Sequence, residues 1–273
     1  MRTSRGPGRV TLPRAISKLG FASRKWALSL VLEGEVKVNG AVEKNPHRWV
    51  DVERDRIEVR TEHLQRQPFR YCILNKPKGF VTTRSDERGA RTVFELLDER
   101  SEDLLAVGRL DKETSGLLLL TNDHRFAERV TNPSTGLQKT YHVVVDRPLS
   151  NDDMLSLSEG IDIPLEGALV TTKPAVVCRK GTNEFEISIT EGKNRQIRKM
   201  LSALAYEVVS LTRIAVGPLQ LGRMTPGSFR ELTPTELRLM KEVMNRQQTM
   251  PSSSLKQGTL EKGSRGKRRF PHR

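Results

Sequence analysis

The feature that most constrains the fold is a series of apolar, strand-like segments that starts at Arg70 and continues to residue 214. Turns separate these segments, and helical patterns interrupt them only occasionally. A parallel sheet would need regular alternation of strands and helices, so the pattern favours an α+β fold with a mainly antiparallel sheet. The predicted strands cover residues 71–74, 80–83, 104–107, 117–120, 139–145, 184–189 and 208–214. The predicted helices cover residues 123–130, 150–157, 194–204 and 233–244, with Asp123 and Ser150 as the caps of the first two.

A smaller unit precedes this sheet. Apolar residues at helical spacing predict one helix over residues 12–19 and a second over residues 24–33, capped by Ser23. Alternating valines before Asn39-Gly40 then predict a hairpin. The polar segment 62–68 ends in proline and marks a domain boundary. The predicted units are a two-helix and sheet domain at 9–62, a larger domain at 69–245 and a basic disordered tail at 246–273.

Positive charge is concentrated at the two ends of the chain. The net charge is +14, and residues 1–60 hold 13 Lys and Arg against 7 Asp and Glu, while residues 246–273 hold 8 against 1. Basic ends of this kind fit a polyanionic partner, because each phosphate that Lys or Arg neutralises releases condensed counterions. Charge that serves only solubility is the alternative.

The apolar segments are too short to cross a membrane, which takes about 20 residues, and the N-terminal residues contain no apolar segment. The prediction is a cytoplasmic protein. The two cysteines, Cys72 and Cys178, lie in separate strand-like segments and outside any Cys or His cluster. We therefore predict two buried thiols, no disulfide and no metal site.

Three polar features stand out against the apolar strands. Residues 108–116 place four charges between two apolar segments, where charges are costly unless they are paired or used. Residues 191–199 open a helix with Lys and Arg side chains that can bind phosphate or pair with a buried carboxylate. Tyr141 lies on the strand face opposite His142. An ordinary charged loop, a solvated helix surface and a core tyrosine are the respective alternatives.

The motifs resemble a known family. Residues 108–111 followed by residues 114–123 resemble the catalytic motif of the ribosomal RNA pseudouridine synthases, in the branch that contains the small-subunit enzyme and its large-subunit relatives. Residues 74–79, 139–141 and 191–200 resemble three further motifs of that family, in the same order. The N-terminal unit resembles the S4-like RNA-binding domain of many members, through residues 20–24 and 34–40.

The resemblance implies an enzyme that converts a uridine of ribosomal RNA to pseudouridine without a metal or other cofactor, in 23S RNA or alternatively in 16S RNA. It implies that Asp111 is the nucleophile and that Tyr141 stacks on the target base and assists proton removal. It also implies that Arg198 forms an ion pair that keeps Asp111 ionised. RNA contacts are expected from Arg109, Lys112, Arg195 and Lys199, and from Arg24, Lys25 and Lys37 in the N-terminal unit.

One departure from the family pattern is Lys199, which stands where relatives often have arginine and therefore lacks the bidentate geometry of a guanidinium. The alternatives to this function are a non-catalytic RNA-binding assembly factor, an enzyme that modifies transfer RNA and a DNA-binding regulator. The presence of Asp111, Tyr141 and Arg198 favours the enzyme. The expected partners are ribosomal RNA and ribosome assembly intermediates, and the chain is expected to be a monomer.

Overall fold

The computed structural model of the chain describes residues 9–22, 24–64, 68–84, 86, 89–98, 101 and 103–246. The predicted cap Ser23, the centre of the predicted boundary segment and residues 247–273 of the predicted tail lie outside the described residues. Among the helices that are described, none is both long and apolar enough to span a membrane.

The N-terminal unit contains the two predicted helices and a set of short strands. Its elements are β1 (Arg9–Thr11), α1 (Leu12–Lys18), α2 (Arg24–Glu33), β2 (Val36–Val38), β3 (Ala41–Val42), β4 (Trp49–Asp51), β5 (Ile57–Val59) and β6 (Glu62–His63). Strands β3, β2, β5 and β6 form one antiparallel sheet in that order, and β1 pairs with β4. Asn39 and Gly40 both have positive φ, 54° and 83°, as a two-residue hairpin turn requires. The apolar side chains of this unit form a core of their own.

The larger unit is built on a nine-stranded sheet. Its elements, in chain order, are β7 (Tyr71–Lys76), β8 (Leu105–Ala106), β9 (Ser115–Thr121), α3 (His124–Thr131), β10 (Lys139–Val145), α4 (Asn151–Glu159), β11 (Asp162–Leu165), β12 (Ala168–Thr171), β13 (Val176–Arg179), β14 (Glu184–Ile189), α5 (Gln196–Ala203), β15 (Val208–Val216), β16 (Leu219–Gln220), β17 (Phe229–Glu231) and α6 (Pro234–Arg246). The strand order is β13-β14-β10-β15-β9-β7-β17, while β16 pairs with β15 and β8 with β9. Only the β9 and β15 pair is parallel among the described strands. The predicted α+β fold with a mainly antiparallel sheet is confirmed.

Alternating side chains of the central strands divide between the two faces of the sheet. Cys72 and Leu74 of β7 join the core that contains residues of α4 and α5. Ile73 of β7 joins the core that contains residues of α3 and α6. The helices begin where predicted, since the Asp123 side chain accepts from Arg125 N and Phe126 N, and Ser150 accepts from Asp153 N. Helices on both faces therefore bury a sheet whose strands carry apolar residues on both sides.

Two predictions about strands and thiols are wrong. Residues 80–83 do not form a strand: Val81 makes one bridge to Thr92, while Phe80 packs into the core with the Arg91 guanidinium 4.4 Å from its ring centre. Cys178 is exposed, because β13 is the edge strand of the sheet and Cys178 points away from the core that Val177 contacts. Cys72 is buried as predicted, and burial raises the pKa of its thiol to about 11.

Candidate active site

Segments that are far apart in the sequence meet at one cavity of about 270 Å³. Residues 107–111 contribute from the loop before β9, and Tyr141 contributes from β10. Residues 191–197 contribute from the loop after β14 and from the first two residues of α5. Strand β15 lies between β9 and β10 in the sheet, and Arg213 on this strand also lines the cavity. Tyr141 is 9% exposed and belongs to the core cluster, while its neighbour His142 on the opposite face is half-exposed. The sheet thus joins three of the motifs that the sequence singled out.

Gly116 allows the Asp111 loop to enter the sheet beside Arg213. Its φ is +101°, and a Cβ at this position would lie 2.3 Å from the Arg213 carbonyl oxygen. No side chain fits this approach, so glycine is required here. The buried Arg213 side chain donates from Nε to the Leu117 carbonyl at 2.7 Å, which ties β15 to the start of β9. Gly116 therefore has a structural role at the entry to β9, beside the Arg213 backbone.

Lys76 donates hydrogen bonds to the backbone of the Asp111 loop. It is fully buried, and its Nζ donates to the carbonyls of Thr114 at 2.8 Å, Pro77 at 3.0 Å and Lys112 at 3.3 Å. Burial lowers the pKa of Lys76 to about 8, although the Glu113 and Asp111 carboxylates act in the opposite direction. The bonds to Lys112 and Thr114 fix the backbone on both sides of Glu113, immediately after Asp111.

Two carboxylates among the described residues line the cavity, and their environments differ. Glu191 is saturated: Oε1 accepts from Lys173 N at 3.0 Å and from Gln196 Nε2 at 2.7 Å, and Oε2 is bonded to Lys193 Nζ. Burial acts to raise the pKa of Glu191, but these hydrogen bonds outweigh it and lower the pKa overall. Asp111 is half-buried, and within the described part of the chain its carboxylate accepts no hydrogen bond and forms no ion pair. The Asp111 carboxylate is therefore available to a bound molecule.

Arg198 lies beside the Asp111 loop. Its Nη2 donates to the Glu113 carbonyl at 2.8 Å, and its Nε is buried without a hydrogen-bond partner among the described residues. Burial and the nearby Arg195 guanidinium lower the pKa of Arg198, and the Asp111 and Glu113 carboxylates oppose this shift. Both Arg198 and Asp111 are described, and no N–O contact within 4 Å joins them, so the predicted ion pair is replaced here by a longer-range attraction.

Comparisons with known proteins agree with this arrangement. A sequence model of the RNA pseudouridylate synthase family matches residues 70–203. An uncharacterised RNA pseudouridine synthase of Aquifex aeolicus (strain VF5) is 37% identical over 231 residues, which cover 84% of this chain and 92% of the relative. The chain belongs to the RNA pseudouridine synthase family.

Further relatives of this synthase extend the comparison. A ribosomal large subunit pseudouridine synthase B of Bacillus subtilis (strain 168) is 35% identical over 84% of this chain and 95% of the relative. A ribosomal small subunit pseudouridine synthase A of Vibrio vulnificus (strain CMCP6) is 35% identical over 79% of this chain and 93% of the relative. A crystal structure of a pseudouridylate synthase superposes with a TM-score of 0.62 and 30% identity over 85% of this chain and 99% of that one. The resemblance stated from the motifs is confirmed, and the chain is an RNA pseudouridine synthase.

The RNA-contact candidates of the synthase fall into two groups. Arg109 and Arg195 are exposed and line the cavity, and Lys112 is exposed on the same loop as Asp111. Lys199 is half-buried on α5 and does not line the cavity. The remaining candidates are exposed on the N-terminal unit, with Arg24 and Lys25 on α2 and Lys37 on β2.

Sequence reasoning missed four residues of the synthase that the cavity or its supporting loops use: Lys76, Lys139, Glu191 and Arg213. Burial, followed by the charge of Arg213, lowers the pKa of Lys139. The signal for Lys76 and Arg213 was a single cation within or at the end of an apolar strand, a position that requires specific partners. Glu191 lay inside a quoted motif, but only the fold reveals that it organises its own loop.

Proposed function

We propose that this enzyme converts one uridine of ribosomal RNA to pseudouridine, with Asp111 as the nucleophile. We propose 23S RNA as the target, with 16S RNA as the second candidate. The similarity to relatives named as large-subunit and small-subunit synthases supports ribosomal RNA over transfer RNA. The fold alone would not support a substrate, because one fold hosts many functions.

The observation that carries the role of Asp111 is its carboxylate, which lines the cavity and accepts no hydrogen bond from the residues that the structure describes. Glu191 is the other described carboxylate of the cavity, and its oxygens accept from Lys193 and Gln196 beside it and from the backbone N–H of Lys173 in a separate loop. Asp111 is held by its backbone, through the Thr114 N bond to the Asp111 carbonyl at 3.0 Å, while its side chain stays open to the cavity. A nucleophile needs a fixed position and a free lone pair, and Asp111 has both.

The reaction breaks the bond between uracil N1 and ribose C1′, turns the detached base, and joins C5 to C1′. The proton on C5 is lost and N1 gains a proton, so the base is isomerised without a redox change. Asp111 attacks C1′ or promotes departure of the base, and the cavity retains the detached uracil. Tyr141 supplies an aromatic surface for the flipped base and its hydroxyl assists removal of the C5 proton. The positive charge of Arg198, which is bonded to the Glu113 carbonyl, stabilises the ionised Asp111 carboxylate.

The division of labour between the two units belongs to the same proposal. Residues 69–245 carry the catalytic domain, while residues 9–62 form an S4-like RNA-binding domain and the basic residues 246–273 add to RNA attraction. The separate apolar core of the N-terminal unit supports this division. A monomeric, cytoplasmic enzyme that acts on ribosomal RNA or on assembly intermediates fits the proposal.

The decisive test is carbodiimide-based mapping of pseudouridine across ribosomal RNA in four strains of the source organism. They carry the wild-type protein, no protein, Asp111→Asn, or the control Asp152→Asn on the exposed start of α4. We expect one site to disappear without the protein and with Asp111→Asn, and to persist with Asp152→Asn. A site that persists with Asp111→Asn but disappears without the protein would exclude Asp111 as nucleophile. Unchanged modification in all four strains would favour the assembly-factor alternative.

A further inference from the structure

Two cations border Tyr141 on the floor of the cavity. Lys139 begins β10 and shares a strand face with Tyr141, two residues along. Arg213 pairs with Tyr141 across the β10 and β15 ladder, which puts their Cβ atoms about 5 Å apart. A bulge in this ladder inserts Ile214, so that Val216 lies opposite Lys139. Arg213 and Val216 are three residues apart on one strand, and because of the bulge both line the cavity.

Neither cation has an anionic partner among the described residues. Arg213 is buried and its Nε donates to the Leu117 carbonyl, but its two Nη groups donate to no described residue and remain open to the cavity. Lys139 is half-buried, and its one hydrogen bond to a described residue runs from Nζ to the Leu137 carbonyl at 3.3 Å. Burial, followed by the charge of Arg213, lowers the pKa of Lys139. Cations in such a position are unfavourable unless a bound molecule supplies the opposite charge.

The charge of the cavity favours an occupant that carries negative charge. The described lining contains two carboxylates, Asp111 and Glu191, and five cations, which are Arg109, Lys139, Lys193, Arg195 and Arg213. Glu191 forms its ion pair with Lys193. Within the described residues, no ion pair joins Asp111 to Lys139 or to Arg213. The positive charge of Lys139 and Arg213 is therefore left for the substrate.

A nucleotide carries two groups that could meet these cations, its phosphate and its base, and the position of the cations selects the base. An RNA chain continues through a phosphate on each side of every nucleotide, so its phosphates stay at the mouth of a cavity. The base is the free end of the nucleotide and can reach the floor, where Tyr141 is 9% exposed and Arg213 is 5% exposed. A base that stacks on the Tyr141 ring therefore has Arg213 and Lys139 within reach of its edge.

Building on the function proposed above, we propose that Lys139 and Arg213 stabilise the uracil anion that forms when the glycosidic bond breaks. The electron pair of the N1–C1′ bond stays with the base, and conjugation spreads the negative charge from N1 over O2 and O4. Arg213 and Lys139 donate charged hydrogen bonds to these oxygens. The charge is consumed when C5 joins C1′, after which C5 loses its proton and N1 gains one. Uracil leaves as an anion whether Asp111 attacks C1′ or promotes departure of the base, so the two cations serve either route.

Binding of free bases tests the anion site without turnover. Barbiturate is a uracil ring with a third carbonyl group and is anionic at neutral pH, whereas uracil is neutral. We expect calorimetric titration of the full-length protein to show barbiturate binding about 10-fold more tightly than uracil, because cations form stronger hydrogen bonds with charged acceptors. Lys139→Met should remove most of this preference. The matched control is Lys180→Met, which removes a 43% exposed ammonium that pairs with Glu186 outside the cavity and should keep the preference. Equal affinities for the two bases, no detectable binding of barbiturate, or tighter binding of inorganic phosphate than of barbiturate would overturn the proposal.

The dependence of the rate on the leaving group separates catalysis from support of the fold. The fluorine of 5-fluorouridine withdraws electrons and stabilises the departing anion, so the reaction depends less on the two cations. Lys139→Met should lower the single-turnover rate about 100-fold on RNA with a radiolabelled target uridine, and about 10-fold when 5-fluorouridine replaces that uridine. Chromatography of nuclease digests measures the loss of the labelled starting nucleoside in both cases. Equal losses on the two substrates would indicate a structural role and would overturn the proposal. Arg213→Lys, which keeps the charge but loses the planar fork, provides the same comparison if Lys139→Met does not fold.

The binding assay keeps this inference separate from the proposed function. The wild-type protein is also incubated with ribosomal RNA, and pseudouridine is measured in the product. Pseudouridine formation without a preference for barbiturate would remove the anion site alone. A preference for barbiturate that depends on Lys139, without pseudouridine in ribosomal RNA, would retain the anion site and remove the proposed substrate.

Discussion

The two loops that meet at the cavity are stabilised in opposite ways. The Asp111 loop is held by its backbone carbonyls, which accept from the buried ammonium of Lys76, and its carboxylate is left open. The Glu191 loop is held by its carboxylate, which accepts from Lys193 in the loop, from Gln196 at the start of α5 and from the Lys173 N–H of a separate loop. A carboxylate that organises structure cannot easily attack a substrate, because its lone pairs are already used. The comparison therefore separates a reactive carboxylate from a structural one.

The largest expected effect comes from Asp111→Asn. We expect turnover to fall at least about 1,000-fold, because the amide keeps the shape of the side chain but removes the nucleophile. The free energy of unfolding should change by less than about 1 kcal/mol, since the Asp111 side chain makes no hydrogen bond with the described residues. Tritium release from ribosomal RNA labelled at uridine C5 measures the first quantity, and urea denaturation measures the second. Retained turnover would place the nucleophile elsewhere.

A pair of tyrosines sharpens the same contrast. The Tyr141 hydroxyl has no hydrogen-bond partner within the described part of the chain, whereas the Tyr206 hydroxyl donates to Asp153 Oδ2 at 2.7 Å. Tyr141→Phe should lower turnover about 100-fold through loss of proton transfer, with little change in stability. Tyr206→Phe should lower the unfolding free energy by about 1–2 kcal/mol and leave turnover near that of the wild type. Similar losses of turnover in both variants would argue against a chemical role for the Tyr141 hydroxyl.

Much of the fold could be predicted because local patterns determine it. The Asp123 and Ser150 caps, the Asn39-Gly40 turn and the alternation that buries Tyr141 each depend on neighbouring residues only. The strand predicted at residues 80–83 was wrong because an apolar segment can pack into a core without pairing as a strand. The predicted burial of Cys178 was wrong because it depends on the order of the strands, which puts β13 at the sheet edge. Strand order is a tertiary property that local sequence does not determine.

The residues of the candidate site also fall into two groups, those that the sequence indicated and those that only the tertiary structure reveals. The charged stretch that contains Asp111 was noticed because its charges interrupt apolar strands, but only the resemblance to the family distinguished it from an ordinary charged loop. The supporting residues Lys76, Glu191 and Arg213 were not, because each acts through a contact with a distant segment. Sequence spacing contains no information on whether a carboxylate is saturated or open, and this property distinguishes Glu191 from Asp111.

Lys76→Met tests the support of the Asp111 loop. The substitution removes the donor for three carbonyls, so we expect the unfolding free energy to fall by about 2 kcal/mol after the gain from removing a buried charge. Displacement of Asp111 should lower turnover about 30-fold. The control is Lys78→Met, two residues away, where the side chain is 58% exposed and forms only a distant ion pair with Glu113. Equal effects of the two substitutions would contradict a specific role for Lys76.

The smallest expected effect on turnover comes from Glu191→Gln, and its clearest signature is in stability. An amide cannot accept from Lys193 through its nitrogen, so the loop loosens and turnover falls about 10-fold. Because the folded state lowers the pKa of Glu191 below its ordinary value of 4.5, this group stabilises the protein above pH 4.5 and loses that contribution as the pH falls through the lowered value. Glu191→Gln should therefore show a shallower decrease in unfolding free energy below pH 4.5 than the wild type. Parallel curves for the two proteins would mean that the carboxylate does not hold the loop, and Glu191 would then become a second candidate for the chemistry of the cavity.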